Sequence, residues 1–298
     1  MKKVLFIVPY YGKFPPYFSQ WLQSCANNPN YNWLIVSDQD NLYVEAMLPS
    51  NVEYLNISLL ELKKKVEVIL GFDFEYFNPY RLCDCRPIYG LLFEKEVSPY
   101  DFWGWCDVDL IFGNLEKFIT PERMRNHDRI YNKGHLSLIR NNSAIRCMLE
   151  KMLTEKKVID IFKSKHPQGF DERLFNAICI SSGLRFLTDK ECIDISPRFY
   201  EFLDVNTNAR VKARYEYGSV LDQFDKEYVY IHFQKRKFRN NKISSQKFNM
   251  SENGFTSCEV VEKRFIVIIK NILMYLTFIK KHLFPQYINR VKSIIWNH

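Results

Sequence analysis

Asp107 and Asp109 lie inside one of the most apolar stretches of the chain, Phe102-Trp103-Gly104-Trp105-Cys106-Asp107-Val108-Asp109-Leu110-Ile111-Phe112-Gly113. Taking an ionised carboxylate out of water is costly unless a partner compensates it. Two such groups in three residues therefore ask for a cation, and oxygen donors suit Mg²⁺ or Mn²⁺. The plainer alternative is a strand-closing turn with Gly113-Asn114 at its apex. A second acidic pair, Asp171-Glu172, follows the loop His166-Pro167-Gln168-Gly169-Phe170 and opens an expected helix running to about Ile180. In a first helical turn both acids gain from the dipole. Near a nucleophilic hydroxyl either could take up a proton. A third cluster closes the strand expected over Tyr228–Phe233, where His232 is followed by Lys235, Arg236, Lys237 and Arg239. Cations this dense are the right chemistry for phosphate oxygens, with a solvated basic loop as the alternative.

These groups need a scaffold that delivers them to one place. Val4–Val8 is a short continuous apolar run broken by Pro9-Tyr10-Tyr11-Gly12-Lys13, as expected of a buried parallel strand ending in a loop. A helix is expected over Tyr17–Ala26, strands over Trp33–Asp38 and Val52–Ile57, and a Lys-rich helix over Leu59–Val68. Strands alternating with helices imply an α/β fold, a mostly parallel sheet with helices on both faces. Ligands of such sheets sit outside the carboxyl ends of the strands. Pro9–Lys13, Asp38–Asp40 and Asp107–Asp109 all fall at such ends, so one rim should gather them. Further on, Gly134–Asn141 reads as a strand leading to a helix over Ser143–Lys156.

The 298 residues suffice for one large domain or two small ones, and neither disorder nor a solenoid repeat is indicated. Eight cysteines occur without a Cys-x-x-Cys pair, and Cys83-Asp84-Cys85 is too tight for ordinary zinc spacing, so free thiols in a reducing compartment are expected. The N-terminal apolar run is too short for a signal peptide, which points to the cytoplasm. Seven cations and no acid lie between Lys263 and His298, against a net charge of +8 for the whole chain. The first 262 residues are therefore nearly neutral, which argues against nucleic acid as a partner. The apolar run Phe265–Ile279 is shorter than the roughly 20 residues a bilayer requires. A basic, aromatic-bearing apolar helix of this kind suits an anionic membrane surface, with packing on the core or against a second copy as the alternative. We therefore expect a catalytic region over residues 1–262 and a membrane-surface segment over 263–298.

The strand ending in Trp105-Cys106-Asp107-Val108-Asp109, the segment Phe170-Asp171-Glu172, and the late His232-Phe233-Gln234-Lys235-Arg236 resemble GT-A-type glycosyltransferases. The likeness is strongest to the bacterial enzymes that build capsule and lipopolysaccharide O-chains. Pro79-Tyr80-Arg81-Leu82-Cys83-Asp84-Cys85-Arg86-Pro87, followed by Tyr89-Gly90, matches their pattern too, with Arg where Lys is common. The resemblance spans roughly residues 1–240 and implies a GT-A-like, Rossmann-type fold that moves a sugar from a nucleotide-sugar. It implies Asp109 as ligand of Mn²⁺ or Mg²⁺, and Asp107 at the metal, the ribose or the sugar. It brings His232 to the metal and diphosphate, and Asp38 with the Pro9–Gly12 loop to the nucleoside. Arg81, Asp84 and Arg86 would face the donor, and His135 the acceptor. Asp171, and after it Glu172, is the expected general base. A UDP-linked donor, galactose in either ring form, and a glycan or lipid-linked acceptor at the inner leaflet are the expected substrates. Inversion and retention both stay open. Two alternatives stand beside this reading: a catalytically silent membrane-surface scaffold, and a metal-dependent nucleotidyltransferase. The latter lacks its usual Gly-rich phosphate loop here.

Overall fold

The computed structural model describes residues 3–39, 47–188, 190–195, 201–234, 243, 246–251, 253–257 and 264–280. The chain divides into two compact units, Met1–Lys190 and Glu191–His298.

The first unit is built on seven strands. In chain order they are β1 (Val4–Pro9), β2 (Tyr31–Ser37), β3 (Val52–Asn56), β4 (Phe102–Cys106), then, after the short strand β5 (Leu110–Phe112), β6 (Arg129–Lys133), β7 (Leu136–Arg140) and β8 (Phe186–Leu187). Their order across the sheet is β3-β2-β1-β4-β7-β6-β8. The pairs β3/β2, β2/β1, β1/β4 and β6/β8 are parallel, while β4/β7 and β7/β6 are antiparallel. The sheet is thus mostly parallel, as the alternating pattern requires. β1 sits between two partners with both faces covered, so its apolar residues run without alternation.

Helices close both faces. On one, Leu5, Ile7, Leu34, Val36, Trp103, Trp105 and Ile139 pack with the buried residues of four helices. These are α2 (Leu59–Leu70), α3 (Ser143–Met152), α4 (Lys156–Lys163) and α5 (Arg173–Ser181). On the other face Phe6 stacks on Trp33 at 5.5 Å and on Phe112 at 6.1 Å. Trp21 of α1 (Phe18–Ala26) meets the same Phe112 ring at 6.4 Å. Local chemistry sets the helix ends. Ser58 and Glu61 form a reciprocal capping box on α2, and Gly71 closes it at φ 75°. The side chain of Asn142 accepts from the Ile145 N–H to start α3.

Three expected elements differ from the structure, the first being the helix expected over Ser143–Lys156, which ends at Met152 while α4 starts at Lys156. α5 begins at Arg173, so Asp171 and Glu172 precede the helix rather than fill its first turn. The strand expected over Tyr228–Phe233 is two strands. Tyr228 pairs with Val220, whereas Tyr230 pairs with Cys192, so the chain changes sheets at Val229.

Among its described residues the second unit carries two small sheets. β9 (Cys192–Ile195) lies between the antiparallel β10 (Phe202–Asp204) and the parallel β14 (Tyr230–His232). A five-stranded antiparallel sheet runs in the order β13-β12-β11-β15-β16. Its strands are β11 (Ala213–Glu216), β12 (Ser219–Leu221), β13 (Glu227–Tyr228), β15 (Lys247–Ser251) and β16 (Gly254–Thr256). Among the described residues the last helix is α6 (Arg264–Phe278). Its exposed Ile269, Ile272, Leu273 and Leu276 fall at i, i+3, i+4 and i+7, one apolar stripe facing outward. No helix among the described residues is long and apolar enough to cross a membrane. The seven cysteines among the described residues are free thiols.

Gly104 marks where β4 tolerates no side chain. A Cβ there would lie 2.0 Å from the Ser137 carbonyl oxygen and 2.9 Å from the Leu138 Cα, both backbone atoms. Gly104→Ala should therefore force β4 and β7 apart and cost about 3 kcal/mol or more. For a unit of this size that is a melting-point drop of roughly 6–12 °C, measurable by calorimetry.

Candidate active site

Arg86 organises the site. It lies in a run of short helical turns over residues 79–97, at whose centre Arg86-Pro87-Ile88 forms one tight turn. One guanidinium nitrogen, Nη2, donates to Asp107 Oδ1. The other, Nη1, donates to Asp171 Oδ2 at 2.7 Å and also to the Gly134 carbonyl. Burial works against its charge, yet the carboxylates of Asp107 and Asp171 hold the guanidinium well above its ordinary pKa. Asp171 is buried, and that burial raises its carboxyl above the usual aspartate range while Arg86 pulls it back. Three residues far apart in sequence thus form one ionic cluster.

The backbone around this cluster is anchored at several points. The Asp107 N–H donates to the His135 carbonyl at 2.9 Å, and the Asp107 carbonyl accepts from Trp21 Nε1 at 3.2 Å. Asp109, two residues on, is buried in the turn just before β5. Gly134, in the turn between β6 and β7, is pinched from both sides. Its carbonyl accepts from Trp105 Nε1 at 2.9 Å, and its N–H donates to Glu172 Oε1 at 3.2 Å. A Cβ on Gly134 would stand 2.9 Å from both Asp171 Oδ2 and Glu172 Oε1, so only glycine lets these acids close in. Next to it β6 is irregular between Ile130 and Lys133, and Tyr131 adopts φ 64°, an uncommon conformation for a side-chain-bearing residue. Glu172 is exposed, whereas Asp171 is 2% exposed.

Two buried arginines brace the acidic loop and its approach. Arg129, which sequence reasoning missed, is fully buried with its guanidinium carbon 4.5 Å from the Phe175 ring centre and 5.8 Å from that of Trp105. It donates to Ser137 Oγ at 3.0 Å and to the Asp171 carbonyl at 3.3 Å. Arg81 Nε donates to Asp84 Oδ2 at 2.8 Å, and Arg81 also donates to the carbonyls of Ile161 and Ser164. Asp84 Oδ1 accepts the N–H groups of Gln168 and Phe170, both at 3.1 Å. Arg81 and Asp84, which the resemblance set towards the donor, are fully buried and paired with each other. Their bonds are spent holding residues 161–170, the approach to Asp171.

At the other strand ends the expected nucleotide loop is stitched together. Pro9 ends β1 and the Tyr10 N–H donates to the Val36 carbonyl at 2.9 Å. The hydroxyl of Tyr11 donates to the Ile57 carbonyl at 2.9 Å, and Gln39 donates to the Gly12 carbonyl. Gly12 has φ 113°, a conformation that favours glycine. The Tyr10 ring begins a ladder of near-parallel rings, Tyr10–Phe14–Phe18–Trp21, with centres 5.0, 4.0 and 5.4 Å apart. Burial, then Asp109, then Asp107 raise the Tyr10 hydroxyl above its usual pKa. Burial, then Asp38, do the same to Tyr11. The strand ends expected to form one rim thus carry Tyr10 near Asp107 and Asp109, and Tyr11 near Asp38. Asp40, Lys235, Arg236 and Lys237 lie outside the described residues.

His135 is buried just after the pinched Gly134. His232 ends β14 in the second unit, its Nδ1 2.9 Å from Asp194 Oδ1. Asp194 was not singled out from sequence. The signal was available, since an Asp between Ile193 and Ile195 poses the same question as one between Cys106 and Val108. The carboxylates of Asp107 and Asp109 form a hard donor set beside a strand end, chemistry that fits Mg²⁺ or Mn²⁺.

The solved structures that the chain resembles include three glycosyltransferases. Mouse xyloside xylosyltransferase 1 in its apo form is 11% identical with a TM-score of 0.46, over 65% of this chain and 88% of that one. The galactosyltransferase LgtC, in complex with donor and acceptor sugar analogues, is 7% identical with a TM-score of 0.38, over 65% and 76%. The apo-form glycosyltransferase GlyE of Streptococcus pneumoniae TIGR4 is 13% identical with a TM-score of 0.36, over 64% and 46%. Likeness at this level leaves function to the site itself. No curated protein matches the sequence. A family model does match, over residues 6–259, and the chain belongs to that family, the family of unknown function DUF6625.

Proposed function

We propose that this protein is a metal-dependent glycosyltransferase that moves a sugar from a nucleotide-sugar to a glycan or lipid-linked acceptor. The observation that carries the reading is the Arg86 cluster, which joins Asp107 to Asp171 beside a rim of tyrosines and a second buried acid, Asp109. Buried charge of this density lowers stability unless it serves a purpose, which disfavours a silent scaffold. A bound Mg²⁺ or Mn²⁺ supplies Lewis acidity for a departing diphosphate. Asp109 and Asp107 are its proposed ligands, and the sequence resemblance adds His232.

The remaining roles follow from chemistry and placement. Pro9, Tyr10, Tyr11, Gly12 and Asp38 would hold the nucleoside, Tyr10 offering an aromatic ring stacked on Phe14 and Asp38 an exposed carboxylate. Arg86, as a fixed cation, would face the donor's sugar or diphosphate, with Lys235, Arg236 and Lys237 adding donors to the phosphates. Each correctly aimed donor is worth roughly 3–4 kcal/mol at the transition state. His135 would line the acceptor side. Of the two acids, Asp171 is enclosed and tied to Arg86, so we reverse the order expected from sequence. Asp171 orients Arg86, and the exposed Glu172 takes the acceptor's proton. The donor is proposed to be a UDP-sugar, with galactose as the sugar, and the pathway to be capsule or lipopolysaccharide synthesis. The outward apolar stripe of α6, within a segment rich in Lys and Arg, would place the enzyme on the inner face of the cytoplasmic membrane.

Three outcomes test these statements. Saturating Mn²⁺ with UDP should stabilise the protein by about 2.7 kcal/mol at a hundredfold excess over Kd, and Asp109→Ala should abolish the Mn²⁺-dependent part in calorimetric titration. A metal-dependent signal that survives Asp109→Ala would place the cation elsewhere. In a panel of sugar nucleotides, Glu172→Gln should lower kcat by about 10²–10⁴-fold while donor KM stays nearly constant; an unchanged kcat removes Glu172 as base. Finally, deletion of residues 263–298 should release the protein from vesicles containing anionic lipid in a sedimentation assay, and equal sedimentation of both forms would refute the membrane role.

A further inference from the structure

We infer that Asp194 is a positioning residue for His232, holding its imidazole in the Nδ1–H tautomer so that Nε2 is the atom presented to a divalent cation. The inference rests on the cation reading of His232 proposed above. It begins with strand register. β9 and β14 are parallel, with Tyr230 opposite Cys192 and Ile231 opposite Ile193. Continuing that register sets His232 beside Asp194, on the same side of the sheet.

The carboxylate is held before it meets the ring. Asp194 Oδ1 accepts the Ile195 N–H at 2.7 Å and the Gln234 side-chain Nε2 at 3.1 Å. Gln234 reaches it from φ 46°, a conformation side-chain-bearing residues adopt at a cost, and such strain persists where surrounding structure enforces it. His232 Nδ1 approaches the same oxygen at 2.9 Å. A carboxylate oxygen serving two N–H donors can only accept, so the proton of a neutral imidazole must sit on Nδ1. The lone pair then belongs to Nε2. An untethered histidine favours the opposite tautomer, with its proton on Nε2, which cannot ligate a metal through that atom. Carboxylates that orient metal-binding histidines act in this way generally, and their loss weakens metal binding by about 10–100-fold.

The test uses the full-length protein labelled with ¹⁵N, at about pH 8, above the ordinary imidazole pKa of ~6.5. Two-bond ¹H–¹⁵N correlations report which ring nitrogen is protonated, and the spectrum of His232→Ala assigns the His232 signals. Mn²⁺ affinity is measured in parallel by electron paramagnetic resonance. The wild type should show protonated Nδ1. Asp194→Ala should move the proton to Nε2 and weaken Mn²⁺ binding by about 10–100-fold. Asp194→Glu, which keeps the carboxylate, should recover both readouts in part. If the alanine variant does not fold, the near-isosteric Asp194→Asn replaces it, since its amide can offer a donor to Nδ1 and should lower both the Nδ1–H population and the affinity. A wild-type ring protonated on Nε2, or a tautomer unchanged in these variants, overturns the inference. So does lost Mn²⁺ binding with the tautomer intact, which would make Asp194 itself a ligand. If His232→Ala weakens Mn²⁺ binding while Asp194→Ala does not, the cation reading stands and this inference alone falls. If His232→Ala leaves Mn²⁺ binding unchanged, the cation reading of His232 falls, and the inference falls with it.

Discussion

A single guanidinium governs the first unit's functional end. Arg86 stands between Asp107, which closes β4, and Asp171, which precedes α5. Without that cation two carboxylates would be left in a poorly hydrated place, a cost of several kcal/mol. The charge balance therefore dictates geometry. The turns over residues 79–97, the end of β4 and the loop before α5 must all arrive at one point, and the surrounding bonds serve that requirement. Asp84 and Arg81 fasten residues 161–170, and Arg129 fastens the Asp171 carbonyl. Arginine suits all three positions, because a planar fork can serve several acceptors at once and lie against aromatic rings.

Close approach is the second condition, and glycine supplies it. Gly104 lets β7 lie against β4, and Gly134 lets both acids of the 171–172 pair reach the β6–β7 turn. The large aromatic residues do the reverse and fill the space between layers. Trp103 and Trp105 pack towards the helices of one face, while Phe6, Trp33 and Phe112 form the stack of the other. Trp21 and Trp105 also donate to the carbonyls of Asp107 and Gly134. Core packing and site geometry are thus joined through the same side chains, and neither can shift far alone.

The acids of the site differ in the work their surroundings permit. Asp171 is enclosed and paired, so it can hold a cation in place but has little access to a substrate hydroxyl. Glu172, its neighbour in sequence, is exposed and bonded to a single backbone N–H. Adjacent carboxylates with opposite exposure are a simple means of separating a structural charge from a proton acceptor.

Some of this was legible in the residues alone. The continuous apolar runs of β1 and β2 and the Lys-rich helical pattern that follows β3 are local signals, and the elements they imply are present. So is the mostly parallel sheet. Hydrophobic periodicity acts over a few residues, which is why sequence determines it. Three features were decided only by the tertiary structure. The charges of Arg81 and Asp84 turn inward and consume each other, although their motif reads like a binding segment. Arg129 is a cation in an aromatic box, which no neighbouring residue announces. The switch of sheets at Val229 sets His232 beside Asp194. Each depends on which distant backbone arrives alongside, and register between distant strands is fixed by packing across the whole unit rather than by any short stretch of chain.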